Sequence, residues 1–160
     1  MTASPGSTIK EPRIETSGPL LLVGLEQQYP LAGNQNLPEQ WQRFVPYIGA
    51  IQTAVPNTTY GVVYNFVPES HYDYLTAVEV ENAAEVPEGL TKLTLPAQKY
   101  AKFTHADHVA SIRSTFATIF GEWFPNSDLT PAEAPTIEYY GPNFNPATGT
   151  GGLEIWIPIQ

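Results

Sequence analysis

The side chains of this sequence that could do chemistry are its carboxylates, its aromatic rings and three histidines; there is no cysteine. The lack of thiols removes disulfides, thiolate metal sites and a cysteine nucleophile. His105 and His108 bracket Asp107 in one short segment. A metal centre needs roughly three or four convergent ligands, and the remaining histidine, His71, is remote in sequence. The segment therefore reads as a turn and helix cap, and no metal or other cofactor is expected. Ser70 and His71 are adjacent in a loop, which is not the arrangement of a catalytic triad. There is no G-x-S-x-G elbow, phosphate-binding loop or dinucleotide fingerprint.

Glu138 stands apart from the other acids. It lies in Thr136-Ile137-Glu138-Tyr139-Tyr140, bounded by Pro135 and Gly141. Strand alternation puts Thr136, Glu138 and Tyr140 on one face and Ile137 and Tyr139 on the other. Glu154 and Trp156 repeat the acid–aromatic spacing in the last strand. After Arg113 the chain has no Lys or Arg, yet it carries Glu122, Asp128, Glu133, Glu138 and Glu154. If Glu138 is buried without a cation, its ionised form is costly and its pKa rises. A bound organic cation would relieve that cost, and each aromatic face would add roughly 0.5–2 kcal/mol. The same pattern also suits a solvent-facing Glu on an edge strand.

Seven basic residues against sixteen acidic ones give a formal charge of -9. Nucleic-acid binding draws on cations that displace counterions from phosphates, so no direct nucleic-acid partner is expected. No polybasic anchor is present, and the longest apolar run, residues 20–23, is far short of a membrane span. With no signal peptide pattern, a cytoplasmic location is the default.

The elements that must position these residues follow from periodicity. Strands are expected over 13–16 and 20–28, then a helix with an apolar stripe of Trp41, Phe44, Val45, Ile48 and Ile51. Pro46 is expected to kink or divide that helix. Strands over 60–66 and 72–81 follow, and residues 83–89 read as a connector. The plan then repeats: strands over 90–95 and 99–105, and a second stripe of Val109, Ile112, Phe116, Phe120 and Trp123. Asp107 is the expected N-cap, and Pro125 should stop the helix at Phe124. A strand over 136–140, a long Gly/Pro/Asn loop over 141–152 and a strand over 153–159 complete the chain. Residues 1–9 read as a disordered leader, and 10–160 as one domain with halves at about 10–82 and 90–160. The expected fold is α+β: tandem pseudo-twofold ββαββ repeats, an antiparallel sheet with two helices, and a ligand groove between the repeats.

A series of short segments carries a family resemblance: Trp41-Gln42-Arg43-Phe44, Tyr60-Gly61-Val62, Tyr72-Asp73-Tyr74, Val78-Glu79-Val80 and Val86-Pro87-Glu88-Gly89-Leu90. Leu95-Pro96-Ala97, the run from Tyr100 to His105, Glu122-Trp123-Phe124-Pro125, Ile137-Glu138-Tyr139-Tyr140 and Glu154-Ile155-Trp156-Ile157-Pro158 continue it. In order and spacing the chain resembles the GyrI-like small-molecule-binding domain, the effector-binding domain of AraC- and MerR-type multidrug regulators. The resemblance implies a groove for lipophilic, cationic aromatic drugs and dyes, lined by aromatics around a buried glutamate. It implies that Glu138 is that glutamate and that Tyr140, Glu154 and Trp156 accompany it, Trp156 standing where a Tyr is common. Phe120, Trp123, Tyr64, Tyr74 and Glu79 match wall positions, and Trp41 matches either wall or core.

With no helix-turn-helix segment ahead of the domain, the expectation is a stand-alone module, monomer or homodimer, that senses or sequesters amphipathic cations. The alternatives that the resemblance leaves open are a hydrolase of electrophilic toxins using Glu138 and Tyr140, and a protein-interaction module such as a gyrase inhibitor.

Overall fold

A computed structural model of the chain describes residues 11–32, 36–51, 53–81, 86–105, 108–145 and 147–160. The expected leader over 1–9, the Asp107 cap and residues 83–85 of the connector lie outside the described residues. The first half runs β1 (Arg13–Ser17), β2 (Leu20–Pro30), α1 (Leu37–Ile48), β3 (Thr59–Val67) and β4 (His71–Glu79). The second runs β5 (Thr91–Leu95), β6 (Gln98–His105), α2 (Ile112–Thr118), β7 (Thr136–Tyr140) and β8 (Leu153–Pro158). This is the duplicated ββαββ plan.

All eight strands join one antiparallel sheet in the order β1-β6-β8-β7-β3-β4-β2-β5. Exchanging the halves and reversing the list returns the same order, so the pseudo-twofold passes between β7 and β3. Each half gives its first strand to the other: β1 pairs with β6, and β5 with β2. Only two residues separate β1 from β2 and β5 from β6, yet each pair stands six places apart in the sheet. Six strand spacings in a flat sheet cover about 29 Å, and a two-residue link reaches roughly 10 Å. The sheet must therefore curl until its two ends approach each other. The roll explains why Leu22, Val62, Leu75, Ala77 and Ile137 are fully buried on the face that carries no helix.

The outer face carries both helices. Phe44 of α1 packs with Val23, Val78 and Ile51 over β2 and β4. Ile112 and Phe116 of α2, followed by Ile119, pack on Ala101, Phe103, Ile155 and Ile157 over β6 and β8. The central pair β3–β7 is left between the helices, and it forms the floor of the candidate site.

Three expectations about the helices are corrected. Pro46 neither divides nor ends α1; the helix runs on to Ile48. Pro46 lies in the last turn, so the one donor it lacks falls where the ladder is about to finish. The buried face of α1 is also rotated: Val45 is 58% exposed, and Gln40 takes a core position beside Phe44. The second helical run does not stop at Phe124. It begins with a 3₁₀ turn (Val109–Ser111) capped by His108, passes through α2 into a π turn (Ile119–Trp123), and ends in a 3₁₀ turn (Phe124–Asn126) with Pro125 at its start. The wider π turn carries Phe120 outward, to 45% exposure, and Ile119 inward. Among the described residues no helix is long and apolar enough to cross a membrane.

Candidate functional site

Glu138 lies at the middle of β7 on the outer face, directly opposite Gly61 of β3 and Ile155 of β8. The residue is 5% exposed. Oε1 accepts the hydroxyl of Tyr74 at 2.6 Å and that of Tyr140 at 3.0 Å. Tyr74 is fully buried on β4 and accepts in turn from the indole N–H of Trp41 on α1, at 3.2 Å. The result is one hydrogen-bonded chain from Trp41 through Tyr74 to Glu138, joined at its end by Tyr140. Gly61 makes room for it. A Cβ at residue 61 would lie 2.6 Å from Glu138 Oε1 and closer still to the Tyr74 hydroxyl, so no other residue fits without displacing this pair.

Aromatic rings enclose the chain. The Tyr140 ring meets Trp41 edge-on at 5.1 Å on one side and Phe144, from the 141–152 loop, at 4.9 Å on the other. Tyr29 and Tyr72 extend the wall beside Tyr74. The loop bearing Phe144 is tied to the start of the second helical run, where the Val109 N–H donates to the Gly149 carbonyl at 2.8 Å.

Burial sets the electrostatics. Loss of water pushes the Glu138 carboxyl above its ordinary range, against the lowering effect of the two tyrosine hydroxyls and of the His105 imidazole. Burial, with the Glu138 charge as the next cause, raises the Tyr74 and Tyr140 hydroxyls well above theirs. Both tyrosines thus remain donors. Among the described residues Glu138 makes no ion pair with Lys or Arg, and its Oε2 carries no hydrogen bond. His105 is held in place by the second helical run: Nδ1 meets the Thr115 hydroxyl at 2.8 Å, and Nε2 donates to the His108 carbonyl at 2.8 Å.

The structure brings four of the ten expected site residues together: Glu138, Tyr140, Tyr74 and Trp41. Trp123 is half-buried over Phe103 and Phe124 in the core under α2. Phe120 faces outward and stacks on Phe124. Glu154, Trp156, Tyr64 and Glu79 lie on the other face of the sheet, inside or at the rim of the roll. The pairing of Glu138 with Ile155 dictates this, because Glu154 and Trp156 then have the opposite orientation. There Arg13 holds Glu154 with contacts of 3.1 and 3.3 Å. The Lys102 ammonium stands 3.9 Å from the Trp156 ring centre. Glu79 accepts the Tyr60 hydroxyl, and Glu26 accepts that of Tyr64.

Sequence reasoning missed Phe144, Tyr72 and Gln40. For Gln40 a signal existed: it lies four residues before Phe44, a polar residue on an apolar stripe. Phe144 lies in an irregular loop, where no periodicity marks an inward side chain.

Residues 10–160 match the family of GyrI-like small molecule binding domains. The transcriptional regulator BrlR of Pseudomonas aeruginosa is 30% identical over 140 residues, which is 86% of this chain and 51% of the regulator. The chain thus spans about half the length of that curated relative. Among solved structures, SAV2435 bound to tetraphenylphosphonium superposes with a TM-score of 0.72 at 21% identity, covering 94% of each chain. A transcription regulation protein from Staphylococcus aureus gives 0.73 at 19% identity, with 94% of this chain and 98% of that one covered. The C-terminal domain of EcmrR gives 0.66 at 11% identity, covering 96% and 98%.

Proposed function

The chain belongs to the family of GyrI-like small molecule binding domains, and from that premise we propose that its ligands are lipophilic aromatic cations. They are received between the helices, with Glu138 as counter-charge. The observation that carries this reading is a buried carboxylate with one oxygen in the grip of two tyrosines and the other without a hydrogen bond among the described residues. Such a group lacks a full counter-charge, and a cation is the ligand that relieves it. The rings of Tyr140, Trp41 and Phe144 offer the apolar and cation–π surface that an aromatic cation needs. That SAV2435 was solved with tetraphenylphosphonium supports the same ligand class. The role is sensing or sequestration.

The test is a titration with tetraphenylphosphonium and with triphenylphosphine oxide, a neutral probe of related shape. Glu138→Gln should weaken the cation by about thirtyfold or more, as for loss of a buried charge partner, and leave the neutral probe nearly unchanged. Equal loss for both probes would refute charge recognition. Mass spectrometry of the probe after long incubation should return it intact.

A further inference from the structure

Gln40 is a fully buried amide on the sheet-facing side of α1. Leaving an amide unbonded in such a place is costly, and every group of this one is engaged. Its Nε2 donates to the carbonyls of Leu25 at 2.7 Å and Tyr74 at 2.9 Å. Its Oε1 accepts the Tyr29 hydroxyl at 2.7 Å. The amide bridges β2 and β4 and ties both to the helix.

The partners matter more than their number. Gln40 grips the backbone of Tyr74, and the next residue, Trp41, grips the hydroxyl of the same tyrosine. Two adjacent helix residues therefore hold the backbone and the hydroxyl of the tyrosine that donates to Glu138. A leucine could fill the volume of Gln40, but it has no donor with which to fix the height and rotation of α1 over the floor.

We propose that Gln40 is the positioning residue of this site, setting α1 on the sheet so that Trp41 closes onto Tyr74 and Glu138 keeps its oriented donor. The proposal rests on the reading of Glu138 as the ligand's counter-charge, but its first test needs no ligand. In a Trp123→Phe, Trp156→Tyr background Trp41 is the sole tryptophan. Gln40→Leu should shift its emission to the red as the indole leaves the Tyr74 hydroxyl. In the otherwise unaltered protein Gln40→Leu should weaken tetraphenylphosphonium about tenfold, the scale of one or two lost hydrogen bonds. Triphenylphosphine oxide should weaken less. Ile119→Val, a core change under the other helix, serves as the control for mere destabilisation and should leave the ratio of the two probes as it was.

If Gln40→Leu does not fold, Gln40→Met gives the same two readings, since the thioether follows the unbranched shape of the side chain and has no donor. Unshifted Trp41 emission, or equal weakening of both probes, overturns the proposal. Failure of the unaltered protein to bind tetraphenylphosphonium would instead remove the functional reading, and the emission shift alone would then decide the role of Gln40.

Discussion

Glu138 and Glu154 occupy the same local pattern, a glutamate two residues before an aromatic on neighbouring strands, and they meet opposite fates. Glu138 faces outward between the helices, is buried, and has tyrosine hydroxyls for company. Glu154 faces the roll, is partly exposed, and is held by Arg13 and the Trp156 indole. The strand exchange between the halves brings that arginine: β1 comes from the first half and pairs with β6, beside β8. On the rim the fold has already supplied its cations, Arg13 and Lys102. On the floor among the described residues it has supplied hydrogen bonds and the more distant influence of His105. A carboxylate satisfied from within has little need of a cationic ligand; one left short of charge has.

The largest effect should come from filling the space beneath Glu138. Gly61→Ala puts a methyl against the Tyr74 hydroxyl and Glu138 Oε1. Overpacking of this kind costs about 1–3 kcal/mol, readable as a lower urea midpoint, and cation binding should fall with it. A Gly61→Ala protein of unchanged stability and affinity would mean that the floor is looser than the hydrogen bonds imply.

Glu138 should next reveal itself through pH. Its folded pKa lies above the ordinary glutamate value of 4.5, so the folded protein holds this proton more tightly than the unfolded chain does. The stability it contributes is full below that value and declines as pH rises through the folded pKa. Tetraphenylphosphonium affinity should climb over the same window, because the cation binds the ionised form and displaces the proton. Glu138→Gln should abolish both slopes. Denaturation and binding measured at several pH values check this, and a slope that survives the substitution assigns it to another group.

Part of this contrast was legible in the sequence and part was not. Alternation correctly places Glu138 and Tyr140 on one face of β7, because that rule is local. It cannot relate β7 to β8: which face of one strand joins which face of the next depends on register across the 141–152 loop. The strand exchange is equally hidden, since a two-residue link says nothing about whether the strands it joins pair with each other. In the helices, apolarity alone drew the stripe of α1 through Val45, whereas the fully bonded amide of Gln40 takes the core position. The π turn moved Phe120 off its expected side, because one extra residue in a turn rotates everything after it.

On the rim, Lys102→Met tests whether the internal cation matters there. The ammonium lies over Trp156 and 3.2 Å from Glu15. Its removal forfeits a cation–π contact of about 1 kcal/mol, offset in part by easier burial of a thioether. Stability should drop by less than about 1 kcal/mol, and the tetraphenylphosphonium affinity should hold. A clear fall in that affinity would show that the two faces of the sheet communicate.

The smallest effect belongs to Arg13→Ala. The Arg13–Glu154 pair has good geometry, but the arginine is half exposed and the lysine-held Glu15 also shares it. Solvent screens such pairs, and their usual contribution is about 0–1 kcal/mol. The carboxylate left behind can reach water and still accepts from the Trp156 indole at 2.9 Å. Arg13→Ala should therefore shift the urea midpoint only slightly, and less in high salt than in low. The comparison is sharpest here, because taking the cation from Glu154 leaves a glutamate that water can serve, whereas Glu138 already lives without a Lys or Arg partner among the described residues, in a place that water scarcely reaches. If Arg13→Ala creates a second binding event for tetraphenylphosphonium, exposure alone does not separate the two carboxylates, and the charge supplied by β1 is what keeps the rim from acting as a site.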